Sequence, residues 1–140
     1  MAITKRQSSE LAKQVFDYAP APEAIDHVRI QPRYGLFING RMVDAHSKRR
    51  FPTINPANEK KLAEVSDGDA VDVDRAVKAA GKAFGSWARL APARRARYLF
   101  RISRLIQERA RELAVVETMD GGKPIKESRD VDIPLAAAHF

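Results

Sequence analysis

The dipeptide Asn39-Gly40 constrains this chain more than any other pair of residues. Both tolerate positive φ, and the twist that two such residues create matches the twist of a β-hairpin. The flanking runs Leu36-Phe-Ile38 and Arg41-Met-Val43 are therefore expected to pair as short strands. Arg50-Phe-Pro-Thr-Ile54 and Lys61-Leu-Ala-Glu-Val65 extend the β-prone pattern beyond a His46-Ser47-Lys48 turn. Between those two runs lies a second corner, Asn55-Pro56, where the proline keeps Asn55 out of the helical region. Asn39 and Asn55 are read as residues that fold the chain and contact no ligand.

After Asp69 the apolar period changes from that of a strand to that of a helix. Asp69 is a natural N-cap; Asp72 in the first turn favours the helix dipole without making a Glu or Gln capping box. Val73, Val77, Ala80, Phe84 and Trp87 supply one apolar face, with Trp87 packing at the helix end, so a helix is expected over roughly 70–88. Pro92 opens a second helix, expected to run to about Met119, and Gly121-Gly122 stops it through a left-handed cap. Lys123-Pro124 restarts a helix in which Pro134 should leave a kink or a break. The apolar run Pro134–Phe140 reads as a chain broken off within a helical pattern, with the chemistry lying past Phe140. At the other end, Ser8–Tyr18 reads as a short helix that needs a surface to dock on, within an arm set off by Pro20, Pro22 and Pro32.

The formal net charge is +7, and much of it is local: Arg89–Glu112 holds eight arginines against two glutamates. On a helix, Arg94, Arg97, Arg101, Arg104, Glu108 and Arg111 share one face, while Leu99, Ile102, Ile106, Ala110 and Leu113 share the opposite one. The expected arrangement is an amphipathic helix docked by its apolar side, with a solvated arginine row. A DNA reader would need a compact helical module and base-reading residues, which the sequence before Arg89 does not supply. No nucleic-acid partner is expected. The competing reading is a non-catalytic basic helical adaptor or nucleic-acid-binding domain. No run approaches the roughly 18–20 apolar residues of a membrane helix, and residues 1–19 lack an apolar signal core. No membrane partner is expected, and the default location is cytoplasmic.

The chemical inventory is short. With no cysteine, this stretch contains neither disulfides nor thiolate chemistry. His27, His46 and His139 lack metal-ligand spacing, and Asp130 and Asp132 fall on different helical faces. Gly121-Gly-Lys123 follows a helix where a phosphate loop would follow a strand. No residue qualifies as catalytic or as a dinucleotide ligand.

Leu36-Phe-Ile-Asn-Gly40, Phe51-Pro-Thr-Ile-Asn-Pro56, the Asp72–Ala80 stretch with Ala83-Phe84 and Trp87, and Leu113–Pro124 resemble successive signatures of the NAD(P)-dependent aldehyde dehydrogenase family. The resemblance is collinear from about Tyr34 to Phe140 and rests on the order and spacing of motifs that are each weak alone. It implies an α/β fold in which short β strands followed by long helices form the N-terminal portion of a cofactor-binding domain. Residues 34–140 would be the incomplete front of that domain and residues 1–33 a variable arm. It further implies oxidation of a small-molecule aldehyde with NAD or NADP through a cysteine thioester, in a homodimer or homotetramer when full length. Catalytic and cofactor-binding residues would lie past this stretch, leaving it inactive alone. Many family members bind a potassium or sodium ion through backbone carbonyls at positions matching Thr53 and Ile54 and through an aspartate matching Asp120. The alternative role for Asp120 is to close the helix end. Arg95, placed toward the apolar stripe, is read as an anchor to a carboxylate or to helix-end carbonyls.

Overall fold

The computed structural model describes residues 24, 25 and 28–140. The Ser8–Tyr18 run and His27 lie outside the described residues. Short strands precede long helices, an α/β arrangement that bears out the expected fold class. The strands are β1 (Arg33–Tyr34), β2 (Leu36–Ile38), β3 (Arg41–Val43), β4 (Arg50–Asn55) and β5 (Lys60–Ser66). β2 and β3 form the expected hairpin, pairing Phe37 with Met42. Asn39 and Gly40 take φ values of 52° and 75°, the positive values that the hairpin turn requires. β4 and β5 pair antiparallel, and β1 adds to β5 in parallel to give the order β1-β5-β4. The two-residue β1 has no sequence signature; it is held because Glu64 N–H donates to the Pro32 carbonyl beside it.

The Asn55-Pro56 corner folds as expected. Asn55 accepts Ala57 N–H on its side chain and Glu59 N–H on its carbonyl.

The helices are α1 (Ala70–Ala88), α2 (Pro92–Glu108), α3 (Ala110–Gly121), α4 (Ile125–Glu127) and α5 (Ile133–Ala138), with a π-helical turn, Ser128–Asp132, between the last two. Asp69 caps α1, accepting the N–H groups of Val71 and Asp72. Asp72 in turn accepts the Asp69 N–H, so a reciprocal capping box forms where a carboxylate shorter than Glu was not expected to complete one. Burial explains the difference. Asp72 is 3% exposed, and its carboxylate also accepts the His46 backbone N–H, which holds it against the helix end.

The second helix does not run unbroken to Met119. Arg109, at φ −106° and ψ 16°, separates α2 from α3. No proline or glycine marks the break. α2 packs mainly on α5, whereas α3 packs on the π-helical turn and β4 as well as on α5, so the break at Arg109 separates two helices with different sets of partners. Pro134 does not stop the chain's helical course, which runs on from Asp132 into Ile133–Ala138. The helix absorbs it through the π-helical turn just before, in which Ile133 N–H bonds back to the Ser128 carbonyl.

The fully buried apolar residues are small, namely Ala45, Ala63, Ala114, Val115 and Ala137. Small side chains let α3 and α5 approach closely. Larger apolar residues lie outward. The expected apolar face of α1 is uncovered, with Val73, Val77 and Phe84 each more than 60% exposed. The apolar side of α2 is docked only in part, since Ile106 is half-buried while Leu99 and Ile102 stay exposed. Periodicity reveals an apolar stripe without revealing what covers it.

Candidate functional site

The expected oxygen site lies where β4 meets the end of α3. An extra residue, Leu62, interrupts the β4–β5 ladder, so that Thr53 pairs with Ala63 and Ile54 with Lys61. Such a bulge bends the strand locally and disturbs the ladder beside it. α3 ends over this bend because Gly122, at φ 72°, turns the chain in the left-handed conformation. A Cβ on Gly122 would lie 2.6 Å from Pro56 Cγ, so the helix end rests directly on the Asn55-Pro56 corner. The two turn signals read separately from sequence therefore abut in space.

This contact delivers Asp120 to Thr53, whose hydroxyl donates to the Asp120 carboxylate. Ile54 follows along β4, and with no oxygen on its side chain it could join the pair only through its main chain. A pocket of about 360 Å³ opens beside them, lined by Ile30, Tyr34, Phe51, Val116 and the Thr53–Asp120 pair. Hydroxyl, carbonyl and carboxylate oxygens are the donors that a hard monovalent cation takes. Among the described residues no group of three or more His, Asp or Glu is placed to hold a metal ion. The donors that the structure brings together here, one hydroxyl and one carboxylate, are hard oxygens.

Supporting contacts fix the helix end. Thr118 and the fully buried Ser128 hydroxyls lie 3.4 Å apart, tying α3 to the π-helical turn. Lys123 pairs with Asp132 at 2.5 Å, and this hydrogen-bonded carboxylate raises the lysine's pKa above its ordinary value. Arg95 behaves as expected, donating to the Leu90 and Ala88 carbonyls and pinning the α1–α2 connection. Trp87 packs at the end of α1 against Tyr98, with ring centroids 5.6 Å apart.

Sequence reasoning missed the clasp at the start of α1. His46 Nδ1 lies 3.1 Å from Asp69 Oδ2 while its backbone N–H reaches Asp72, and Arg75 also donates to Asp72 at 3.0 Å. The contact with His46 is the main reason that the Asp69 carboxyl is held below its ordinary pKa. Two aspartates three apart were the only sequence signal; which loop they bind follows from strand pairing.

α1, the first long helix, begins at an aspartate cap whose carboxylate already accepts the Val71 and Asp72 N–H groups. A phosphate there would meet two negative charges.

A family model described as "Aldehyde dehydrogenase family" matches residues 42–140. The chain belongs to the aldehyde dehydrogenase family. Among its relatives, DhaS of Bacillus subtilis is 45% identical over 107 residues, covering 75% of this chain and 22% of DhaS. The mitochondrial benzaldehyde dehydrogenase of Antirrhinum majus is 36% identical over 141 residues, covering 96% of this chain and 26% of the relative. A solved structure of the P. syringae AldA indole-3-acetaldehyde dehydrogenase, a mutant in complex with NAD+ and IAA, superimposes with a TM-score of 0.73 at 42% identity. That match covers 79% of this chain and 22% of the solved one. The chain thus spans about a fifth to a quarter of the aldehyde dehydrogenases it matches. Thr53, Ile54 and Asp120 all fall inside the family match, as do both long helices.

Proposed function

We propose that the full-length protein oxidises a small-molecule aldehyde to a carboxylic acid with NAD+ or NADP+, and that these residues are the scaffold at the front of its cofactor-binding domain. Family membership over residues 42–140 carries this reading. The hydride acceptor is the dinucleotide, and the residues that hold it lie outside this chain. The thiol that forms the acyl thioester likewise comes from elsewhere, because the chain contains no cysteine. What this chain contributes is position: the β4–α3 junction, the Arg95 anchor and the capped start of α1 form a rigid base for the chemistry. Residues 34–140 are the incomplete front of the domain, residues 1–33 are a preceding arm, and the complete enzyme is a homodimer or homotetramer.

Within that enzyme, the Thr53 and Ile54 carbonyls with the Asp120 carboxylate hold a potassium or sodium ion. The Thr53–Asp120 contact supports this reading, since it gathers oxygen donors from two elements at one point. A basic helical adaptor is less well supported, because the structure is not a helical bundle and its strands bear family motifs.

The test is a graft in which this chain replaces the matching segment of DhaS, followed by NADH formation with a panel of aldehydes. NADH formed by the graft supports the reading. A folded graft that binds NAD+ but oxidises no aldehyde turned over by DhaS contradicts it.

A further inference from the structure

The arginine row of α2 has features that a plain solvated face does not need. Arg94, Arg97 and Arg101 are exposed, and among the described residues none pairs with a carboxylate. The first turn of α2 contains no acidic residue and no side-chain cap, so these guanidinium groups repel one another near the positive end of the helix dipole. Farther along, Arg104 is paired with Glu108 at 2.9 Å. The uncompensated charge is thus confined to two turns, from Arg94 to Arg101.

Apolar side chains border the row. Phe100 is 71% exposed and Leu105 45% exposed. With Arg101, Arg104 and Glu108 they line an open cleft of about 410 Å³, and a second cleft shares Phe100, Arg104 and Glu108 with it. Cationic groups beside an exposed phenyl ring fit a ligand that carries both carboxylates and an apolar group.

We propose that this face docks a short acidic peptide segment of a partner protein, with carboxylates on Arg94, Arg97 and Arg101 and one apolar side chain in the cleft beside Phe100. Size limits the segment. Seven helical steps span about 10 Å, which an extended peptide covers in about three residues. The unpaired charge ends after Arg101, since Arg104 is already matched by Glu108, so the row is too short a track for a continuous phosphate backbone, which favours a short acidic peptide over a nucleic acid. Two copies would not meet through this face, because each arginine row would repel the other. The surface is separate from the β4–α3 junction.

The experiment measures fluorescence anisotropy of a labelled peptide, containing glutamates and one leucine, with the purified 140-residue chain. Control probes replace every glutamate by glutamine, replace the leucine by serine, or substitute a single-stranded oligonucleotide of equal charge. The acidic peptide should bind in a salt-sensitive manner. Arg97→Glu with Arg101→Glu should weaken it at least about tenfold, and Phe100→Ser should weaken it by a smaller factor. Circular dichroism verifies that the variants retain their helices, and Arg101→Gln, which removes charge without reversing it, serves if the double variant does not fold. Absence of binding, equal binding of the glutamine peptide, or tighter binding of the oligonucleotide overturns the proposal.

Discussion

The Thr53 hydroxyl donates to the Asp120 carboxylate across 67 positions of sequence, joining β4 to the end of α3. Replacing Asp120 by alanine should cost about 1 kcal/mol, the net worth of such a hydrogen bond, as read by urea unfolding. If the pair also belongs to a cation site, potassium or sodium chloride should raise the unfolding temperature of the grafted enzyme more than choline chloride does. Asp120→Ala should remove that difference. Equal stability in all three salts would leave Asp120 with its helix-end role alone.

Gly122→Ala should be more damaging than its exposed position suggests. The residue sits at φ 72°, and an added Cβ meets Pro56 Cγ at 2.6 Å. Backbone strain of about 1–2 kcal/mol combines with displacement of the Asn55-Pro56 corner. Gly121→Ala is the control, because its nearest contact is 3.6 Å away, at the end of the Glu117 side chain. Similar unfolding midpoints for the two variants would contradict the packing described.

Asp72 is the buried charge on which the β3–β4 loop and α1 converge. Asp72→Ala strands the His46 and Asp69 N–H groups and the Arg75 guanidinium, and should destabilise the chain by about 2–3 kcal/mol. Asp72→Asn retains acceptor capacity and should lose less. Amide exchange should speed up at both His46 and the first turn of α1 in the alanine variant; an effect at only one of them would separate loop from helix.

The clasp also sets a dependence on acid. The Asp69 pKa is lowered, chiefly by its hydrogen bond to His46, from an ordinary value of 3.8. Its folded-state value is therefore below its unfolded one. The associated stability is present above pH 3.8 and is lost as pH falls through the lower folded value. His46→Ala should flatten the acid limb of the stability curve without altering its slope above about pH 5 through this group. An unchanged acid limb would detach Asp69 from His46.

The fold was legible where a local signal suffices. Asn39-Gly40 dictates its hairpin, Asp69 its cap, Pro92 its helix start and Gly122 its left-handed stop. What escaped was set by packing between distant segments. The break at Arg109 separates two helices with different sets of partners, and the Asp72 capping box closes because His46 buries it from another loop. Arg95 could be placed because a cation on an apolar stripe must find acceptors, and the carbonyls at the end of α1 are near in sequence. For the candidate site, the family motif supplied Thr53, Ile54 and Asp120, while the bulge at Leu62 and the rest of Gly122 on Pro56 have no sequence signature.

The central claim, that these residues are scaffold and hold neither the dinucleotide nor the reacting thiol, is tested most directly by titrating NAD+ into the purified 140-residue chain in a calorimeter. The account predicts no saturable heat and no NADH when an aldehyde is added. Saturable binding in the low-micromolar range, or aldehyde-dependent NADH from the chain alone, would contradict it.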